Sequence, residues 1–401
     1  MNVNEDLNYV FNLSRQCLRL IGVWPDPHIS LNDFRRPSIR FIIATCIMCL
    51  YVVTPQILNV IRVWGNISLM IEILSAINFN IMAVFKIIST RYHGETIFNL
   101  EELRILIASI ATDWTNSKND WKRNAMLKLT KSGRNLSFGY FIVVMGTILP
   151  AYYVRLENVF QNIHQPRRYL VYRFDYIQKS PNYEITCFLQ ICGSTCAMLS
   201  NYCVDSFISI FVLHICAQLI NLRITLNNLI DKVDKKSIAF SKFKEDLAAI
   251  IIRHGHLIRN AKTIDDCYNP ALIVHLIGAT LQLCLVTFQV FTIITDNVNV
   301  PFIKIIFLTF FTLLVLAQLY IYCYAAESLL TESTNMGYGV YECKWYNIPV
   351  NDAKNLMFIV YRSTIPLKLT AGKFATFSLE LFGIAVKTSM GYLSALLTIR
   401  E

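Results

Sequence analysis

The end of the chain, residues 370–401, reads TAGKFATFSLELFGIAVKTSMGYLSALLTIRE. About 24 of these residues, 375–398, predict a helix of roughly 36 Å, which is long enough to cross a bilayer. Glycine, serine and threonine recur along it, and Glu380 and Lys387 lie inside it. Small residues allow close helix packing, and charged residues avoid lipid. This stretch therefore predicts a span that faces a pore or the centre of a helix bundle.

The composition of the whole chain agrees with a membrane protein. Of its 401 residues, 54% are hydrophobic and 16% are charged, which is too apolar for a soluble protein of this size. The net charge of +10 is spread between apolar blocks. Lysine and arginine that flank membrane spans explain this distribution better than nucleic-acid binding does. The predicted fold class is an all-α polytopic membrane protein.

Seven apolar blocks predict seven transmembrane helices. The predicted spans are 39–63, 67–90, 133–157, 185–229, 268–294, 301–326 and 375–398. Span four stays compatible with a helix well beyond the bilayer thickness, and the segment before span five is amphipathic. Both features predict helices that project into water. A further amphipathic helix is predicted at 351–365, which Asn351 or Asp352 caps and Pro366 stops.

The distribution of basic residues predicts the orientation. With a cytoplasmic N-terminus, inside segments hold about 25 lysines and arginines, whereas outside segments, including the 158–184 loop, hold about 8. The C-terminus is then extracellular, which is opposite to a G-protein-coupled receptor. The predicted division is a cytoplasmic segment 1–38, spans one to six within 39–325 with a cytoplasmic extension at 220–267, a cytoplasmic loop and helix at 326–370, and the last span within 371–401. Residues 17–25 are expected on the membrane surface.

No motif predicts an enzyme, a cofactor or a metal site. His254 and His256 lie in a charged amphipathic helix without nearby partner ligands, so solvated side chains are expected. Cys46 and Cys49 lack a second ligand pair and are interpreted as free thiols. Residues 336–340, MGYGV, contain the Gly-Tyr-Gly of a potassium filter without its preceding Thr-Val. A glycine-rich turn is the expected structure there.

Charged residues inside the spans predict interior contacts. Asp205 in span four and Glu72 near the outer end of span two are costly in lipid and are expected to face the bundle interior. Lys387, near the middle of the last span, has two open interpretations. It faces water or a partner within the bundle, or it lies at a subunit interface and reaches a carboxylate such as Glu380.

The C-terminal block resembles the insect odorant-receptor family. The matching residues are 361–372 (YRSTIPLKLTAG), 377–382 (FSLELF) and 387–392 (KTSMGY), with weaker matches at 18–25 (LRLIGVWP) and 213–220 (LHICAQLI). The resemblance implies seven spans in the inverted topology and a ligand-gated, non-selective cation channel in the plasma membrane of a sensory-neuron dendrite. It implies co-receptor subunits in a heterotetramer, a small volatile organic ligand, membrane lipid and permeant cations as partners.

Two departures within the resemblance refine it. The gustatory family has Thr-Tyr, five apolar residues and Gln-Phe, whereas this chain has Gly391-Tyr392 and Thr398-Ile399 in that frame. The short loop between spans four and five differs from the long loop of the co-receptor. The resemblance therefore implies an odorant-tuning subunit, with a gustatory-type or G-protein-coupled-receptor-like chemoreceptor as the alternative. Span three ends in YVRLE at 153–157, without an acidic-Arg-Tyr motif.

The resemblance also implies which residues form the pore, the anchor and the ligand pocket. It places the outer constriction at Ala395 or Leu396, with Thr398 at the mouth, and subunit contacts in an intracellular anchor at 220–267 and 351–365. Apolar stripes alone are typical of ordinary packing, but the family places a pocket between the outer halves of spans two, three, four and six. The implied ligand-binding residues are Ile71, Leu74 and Asn78; Met145, Leu149 and Tyr152; Gln190, Ser194 and Ala197; and Phe302, Ile306 and Phe310.

Overall fold

A computed structural model describes residues 3–24, 35–93, 102–116, 120–161, 182–235, 238–295, 301–372 and 374–400. The helices of this part of the chain are α1 (Val3–Ile21), α2 (Arg35–Ile47), α3 (Thr54–Arg62), α4 (Ile67–Tyr92), α5 (Glu102–Asn116), α6 (Asp120–Gln161), α7 (Asn182–Asp234), α8 (Phe240–Thr295), α9 (Phe302–Glu342), α10 (Val350–Ser363) and α11 (Leu379–Arg400). Two short antiparallel strands, β1 (Thr370–Ala371) and β2 (Ala375–Thr376), precede α11.

The prediction of an all-α, seven-span protein is confirmed. Among the described residues, seven helical segments are long and apolar enough to cross a membrane. They are Ser38–Arg62, Ile67–Tyr92, Trp121–Tyr153, Asn182–Val233, Ser241–Thr295, Phe302–Glu342 and Leu379–Thr398. Most of the predicted 158–184 loop, residues 162–181, lies outside the described part of the chain.

The first span contains an irregular turn. A π-helical stretch, Met48–Val53, joins α2 to α3. Pro55 at the start of α3 has no amide hydrogen to donate. The Thr54 hydroxyl donates a 2.9 Å hydrogen bond to the Cys49 carbonyl in this turn. The span predicted over 39–63 is therefore helical but not regular. The irregular turn lies next to Pro55, whose nitrogen cannot donate a backbone hydrogen bond.

Two regions predicted as connections are helical. The charged segment 91–132 contains α5 and the start of α6, and residues 326–342 continue α9. The predicted glycine-rich turn at 336–340 is therefore wrong. Gly337 and Gly339 let neighbouring helices approach closely, because a Cβ at Gly337 would lie 3.0 Å from Cβ of Ser363 in α10.

The N-terminal helix packs into the bundle. Phe11 and Leu18 of α1 and the following Trp24 are buried. The rings of Trp24 and Phe207 in α7 lie edge to face with centroids 5.8 Å apart. The described part of 17–25, residues 17–24, therefore packs on α7.

The helix α7 forms the centre of the bundle. In its apolar stretch 89% of the residues are buried, compared with 11% for α11. It packs against α1, α4, α6, α8 and α9, whereas α11 packs against α8 and α9. The last span thus lies at the edge of the chain and leaves one side uncovered.

A polar clamp on α8 holds the turn that leads into α11. The Asp265 carboxylate accepts hydrogen bonds from the Thr370 amide at 2.6 Å and the Thr370 hydroxyl at 2.9 Å. Asn269 accepts a 3.0 Å hydrogen bond from the Gly372 amide. Gly372 has a φ of +65°, in the left-handed region that favours glycine. These hydrogen bonds therefore attach α8 directly to the turn at the start of the last span.

Candidate functional site

Aromatic rings fill the space between α4, α6 and α9. Phe79 of α4 lies edge to face with Phe311 of α9, with ring centroids 5.6 Å apart. Phe307 stacks on Phe311 at 5.5 Å. Gly146 of α6 lies so close to Phe310 that an added Cβ would overlap its ring. These contacts form an apolar wall shared by spans two, three and six.

About 9 Å along α6 from Gly146, hydrogen-bonded hydroxyl groups join spans three and four. The Tyr152 hydroxyl is hydrogen-bonded to the Thr195 hydroxyl of α7 and lies 3.4 Å from the Ile191 carbonyl. Ser194 donates a 3.0 Å hydrogen bond to the same carbonyl. Apolar rings with a few convergent polar groups are typical of a site for a small, mainly apolar ligand.

Two of the three residues predicted for the pocket on span two, Ile71 and Asn78, contact α8. Ile71 packs in a cluster with Leu285 and Phe288 of α8. The Asn78 amide donates 2.8 Å hydrogen bonds to the Gly278 carbonyl and to Gln282. Both residues are therefore engaged with α8, and Phe79 is the neighbour that reaches α9.

The other residues predicted for the pocket differ in burial. Gln190, Ser194 and Ala197 are buried; Met145, Tyr152, Ile306 and Phe310 are half-buried; and Leu74, Leu149 and Phe302 are exposed. The structure brings Tyr152 to the span-four segment 191–195 and Phe310 to span three. Sequence reasoning missed Phe79, Gly146, Thr195, Phe307 and Phe311, which make the contacts described above.

The charged residues in the spans have different environments. Asp205 is fully buried, as predicted. Glu72 is half exposed, and the Lys304 ammonium lies 3.4 Å from its carboxylate, so the prediction that Glu72 faces the interior is wrong. Its position near the start of α4 lets it pair with Lys304 near the start of α9. His254 is buried rather than solvated.

One face of α11 packs and the opposite face is exposed. Leu393, Leu396 and Leu397 pack against the cluster of Ile71, Leu285 and Phe288. Spacings of three and four residues place Glu380, Gly383, Lys387, Gly391, Ser394, Ala395 and Thr398 on the exposed face. Ile384, Met390 and Tyr392 flank it and are also exposed. Of the predicted pore residues, Ala395 and Thr398 are therefore exposed and Leu396 is packed.

An open cavity of about 310 Å³ lies between α8 and α10, in the predicted anchor and not in the outer half of the bundle. Its lining comprises Ile251, His254, Gly255, Ile258, Arg259, Phe358, Ile359 and Arg362.

One group of potential metal ligands occurs in the described part of the chain. His93 Nδ1 and Cys267 Sγ each lie 3.1 Å from the same Glu102 oxygen. Hydrogen bonds between the three side chains account for this arrangement. It fastens the start of α5 to α4 and α8.

Sequence comparison assigns the chain to a family. The profile of the 7tm odorant receptor family matches residues 66–390. The chain belongs to the odorant receptor family. Odorant receptor 13a of Drosophila melanogaster is 24% identical to this receptor over 314 residues, which cover 74% of each chain. The odorant receptor coreceptor of Anopheles gambiae is 30% identical over 149 residues, or 37% of this receptor and 30% of the coreceptor.

These matches confirm the predicted class. The longer match to a tuning-type receptor supports an odorant-tuning subunit rather than the co-receptor. The olfactory receptor OR5 of Machilis hrabei, solved in complex with eugenol, superposes with a TM-score of 0.81 at 14% identity, covering 98% of this receptor and 100% of OR5. The two proteins share the fold. Insect odorant receptors are ligand-gated cation channels that work with a co-receptor, so this receptor is a multi-pass membrane protein and not an enzyme.

Proposed function

We propose that this receptor is a subunit of an odorant-gated, non-selective cation channel in the plasma membrane. It binds a small volatile ligand between spans two, three, four and six and shares a pore with co-receptor subunits in a heterotetramer. The observation that carries this proposal is the exposed face of α11, which combines glycine, serine and threonine with Lys387.

The composition of that face favours water or protein over lipid. A charged side chain at mid-membrane depth is costly in hydrocarbon. Among the described residues, Lys387 makes no hydrogen bond or ion pair within the chain, and it is exposed together with Ser394 and Thr398. Subunits that bring these faces together would surround a water-filled path and satisfy the polar groups. This supports the water-facing interpretation of Lys387.

The anchor proposed for subunit contacts is built from 220–267 and 326–370. On α10, Met357, Phe358 and Tyr361 are each at least 65% exposed. An apolar surface of this kind on the end of a bundle is typical of a protein interface. The cytoplasmic location of this region follows from the excess of basic residues in it.

The geometry of the outer-half site suits shape recognition. A ligand of about ten heavy atoms at roughly 0.7 kcal/mol per atom gains about 7 kcal/mol, a dissociation constant near 10 µM. If the ligand binds the open arrangement about 3 kcal/mol more favourably than the closed one, the open-to-closed ratio rises about 150-fold. The eugenol complex of OR5 supports a ligand of this class.

The experiment that tests the function is a current measurement in cells that express this receptor with and without a co-receptor. We expect odorant-evoked, cation-carried currents from the pair across part of an odorant panel. Uptake of ligand without a rapid conductance would instead indicate a transporter. Antibody access to tags at each terminus in intact cells tests the orientation, and an accessible N-terminal tag would contradict it.

Replacing Tyr152 or Phe310 by alanine is expected to weaken odorant sensitivity. Tyr152→Ala removes the hydrogen bond to Thr195, and Phe310→Ala removes the ring beside Gly146. Each loss should raise the half-maximal odorant concentration at least tenfold, as expected for about 1.4 kcal/mol or more of lost contact. Dose–response currents with the co-receptor measure this.

Ile142→Ala is the matched control for these two variants. Ile142 lies on the same helix as Tyr152, is 51% exposed and is not among the residues implied for the pocket, so its truncation should leave the half-maximal concentration unchanged. If Tyr152→Ala and Phe310→Ala behave like this control, the pocket is elsewhere.

A further inference from the structure

One carboxylate ties four helices together at the centre of the bundle. The Lys86 ammonium of α4 lies 2.6 Å from Asp205 Oδ1 of α7, and the two side chains are 1% and 0% exposed. The Tyr322 hydroxyl of α9 donates to Oδ1 at 2.6 Å, and the Tyr140 hydroxyl of α6 donates to Oδ2 at 2.9 Å. We call these four residues, Lys86, Tyr140, Asp205 and Tyr322, the Asp205 hub.

The hub and the candidate pocket lie at two different levels of the same four helices. Lys86 follows Phe79, Tyr140 precedes Gly146, Asp205 follows Thr195, and Tyr322 follows Phe311. With a rise of 1.5 Å per residue, these separations are about 9 to 17 Å. Spans two, three, four and six thus meet twice, once around the pocket and once around Asp205.

A fifth helix joins the hub from the side of the last span. The ring of His275 in α8 lies 4.8 Å from the ring of Tyr322. The same helix carries Asp265 and Asn269, which hold the turn before α11. The hub therefore lies between the pocket and the helix that clamps the last span.

The contacts of the hub tolerate little relative movement. Hydrogen bonds from a hydroxyl to a carboxylate require 2.5–3.0 Å and weaken steeply outside that range. A helix shift of 1–2 Å, typical of switching proteins, would break the bond to Tyr140 or Tyr322 while the Lys86 charge still balances Asp205. Close-packed bundles then adopt discrete arrangements rather than a continuum.

We propose that Asp205 is a positioning residue for gating: the hydroxyls of Tyr140 and Tyr322 hold the four pocket helices in the resting arrangement, and ligand binding opens the channel by separating them from Asp205. This inference rests on the proposed channel function and specifies the junction through which the pocket acts.

The test uses Tyr140→Phe and Tyr322→Phe, each expressed with the co-receptor. Each change removes one hydroxyl and keeps the ring. We expect the half-maximal odorant concentration to fall about tenfold and the odorant-independent current to rise, because one hydrogen bond to a charged group no longer favours the resting arrangement. The odorant response and the surface amount of tagged receptor are measured together.

Tyr202→Phe is the matched control. Tyr202 is buried beside Tyr140 with ring centroids 5.4 Å apart, but it lies outside the hub, in which the hydroxyls that donate to Asp205 are those of Tyr140 and Tyr322. We expect its dose–response curve to coincide with that of the wild type. A purely structural role of the hub would lower the surface amount and the maximal current of the hub variants without moving the half-maximal concentration.

The outcomes separate the two proposals. If the wild type gives odorant currents but both tyrosine variants match Tyr202→Phe in sensitivity and basal current, the gating role of the hub is wrong. If the wild type gives no odorant current with the co-receptor, the channel function itself is wrong. If one variant fails to reach the surface, the other still decides.

Discussion

Asp205→Ala is expected to remove most of the folded receptor from the membrane. The change leaves the Lys86 ammonium buried, at 1% exposure, without its counter-charge. Breaking a buried ion pair by removing one partner destabilises a protein by about 3–5 kcal/mol. This is a large fraction of a typical stability of about 5–15 kcal/mol. The expected result is a loss of surface receptor and of monodisperse protein after mild detergent extraction.

Asp246→Ala is the control for this substitution. Asp246 pairs with Lys242 at 3.4 Å on the surface of α8, where the two side chains are 39% and 53% exposed. Such a pair contributes about 0–1 kcal/mol, so the variant should be recovered in wild-type amounts. Wild-type recovery and thermal stability of Asp205→Ala would contradict the role of the ion pair.

A double substitution separates charge from packing. Lys86→Met with Asp205→Leu removes both charges, and replacing a buried ion pair by apolar residues is often neutral. The double variant should therefore be recovered in larger amounts than Asp205→Ala. It would still lack the acceptor for Tyr140 and Tyr322, so restored folding would not restore normal gating.

The sequence predicted the spans better than their ends. Hydropathy identifies the part of a helix that lies in hydrocarbon, and a helix that leaves the membrane loses that signal. Residues 326–342 contain charges and two glycines, and they were predicted as a loop for that reason. Their polar groups are satisfied by packing in the folded chain. Ser333, for example, accepts a 3.0 Å hydrogen bond from the Leu367 amide.

The side of span two that faces the bundle interior was also predicted less well than the spans themselves, but for a different reason. Lipid-facing and core-facing sides of a membrane helix are both apolar, so an apolar stripe does not identify the interior. Lys86 does, because a lysine within a span avoids lipid. Counting back from it by three or four residues gives Met82, Phe79 and Ser75, all buried. The next step of the same count is Ile71, which is also buried, whereas Leu74 and Asn78 of the predicted stripe lie on a neighbouring face.

Polar residues therefore carry the orientation information in these helices. Asp205 was predicted to be interior and is buried. Glu72 was treated in the same way although it lies near a helix end, where Lys304 is within reach. The partners of Asp205 come from positions 86, 140 and 322, and their meeting depends on the packing of α7 against three other helices. No local pattern in the sequence encodes that contact.

Attaching a positive charge to the exposed face of α11 is expected to block the channel. In Ala395→Cys or Thr398→Cys, a membrane-impermeant thiosulfonate that carries a trimethylammonium group adds the charge after assembly, so folding is not affected. About 5 Å from a permeating cation, the repulsion is about 0.8 kcal/mol in water and about 3 kcal/mol at an effective dielectric constant of 20. The odorant-evoked current should fall between about fourfold and a hundredfold or more.

Leu397→Cys tests the assigned face of the same helix. Leu397 packs against the cluster of Ile71, Leu285 and Phe288, so the reagent should not reach a cysteine there. The receptor without added cysteines controls for its own thiols, of which Cys46 is exposed.

Three outcomes can be distinguished. Block at 397 with none at 395 and 398 would place the opposite face of α11 toward the ions. Reaction only from the cytosolic side would reverse the proposed orientation. Block from outside at 395 and 398 alone requires the polar face of α11 to line the conduction path, because the charged reagent does not reach a cysteine that faces lipid.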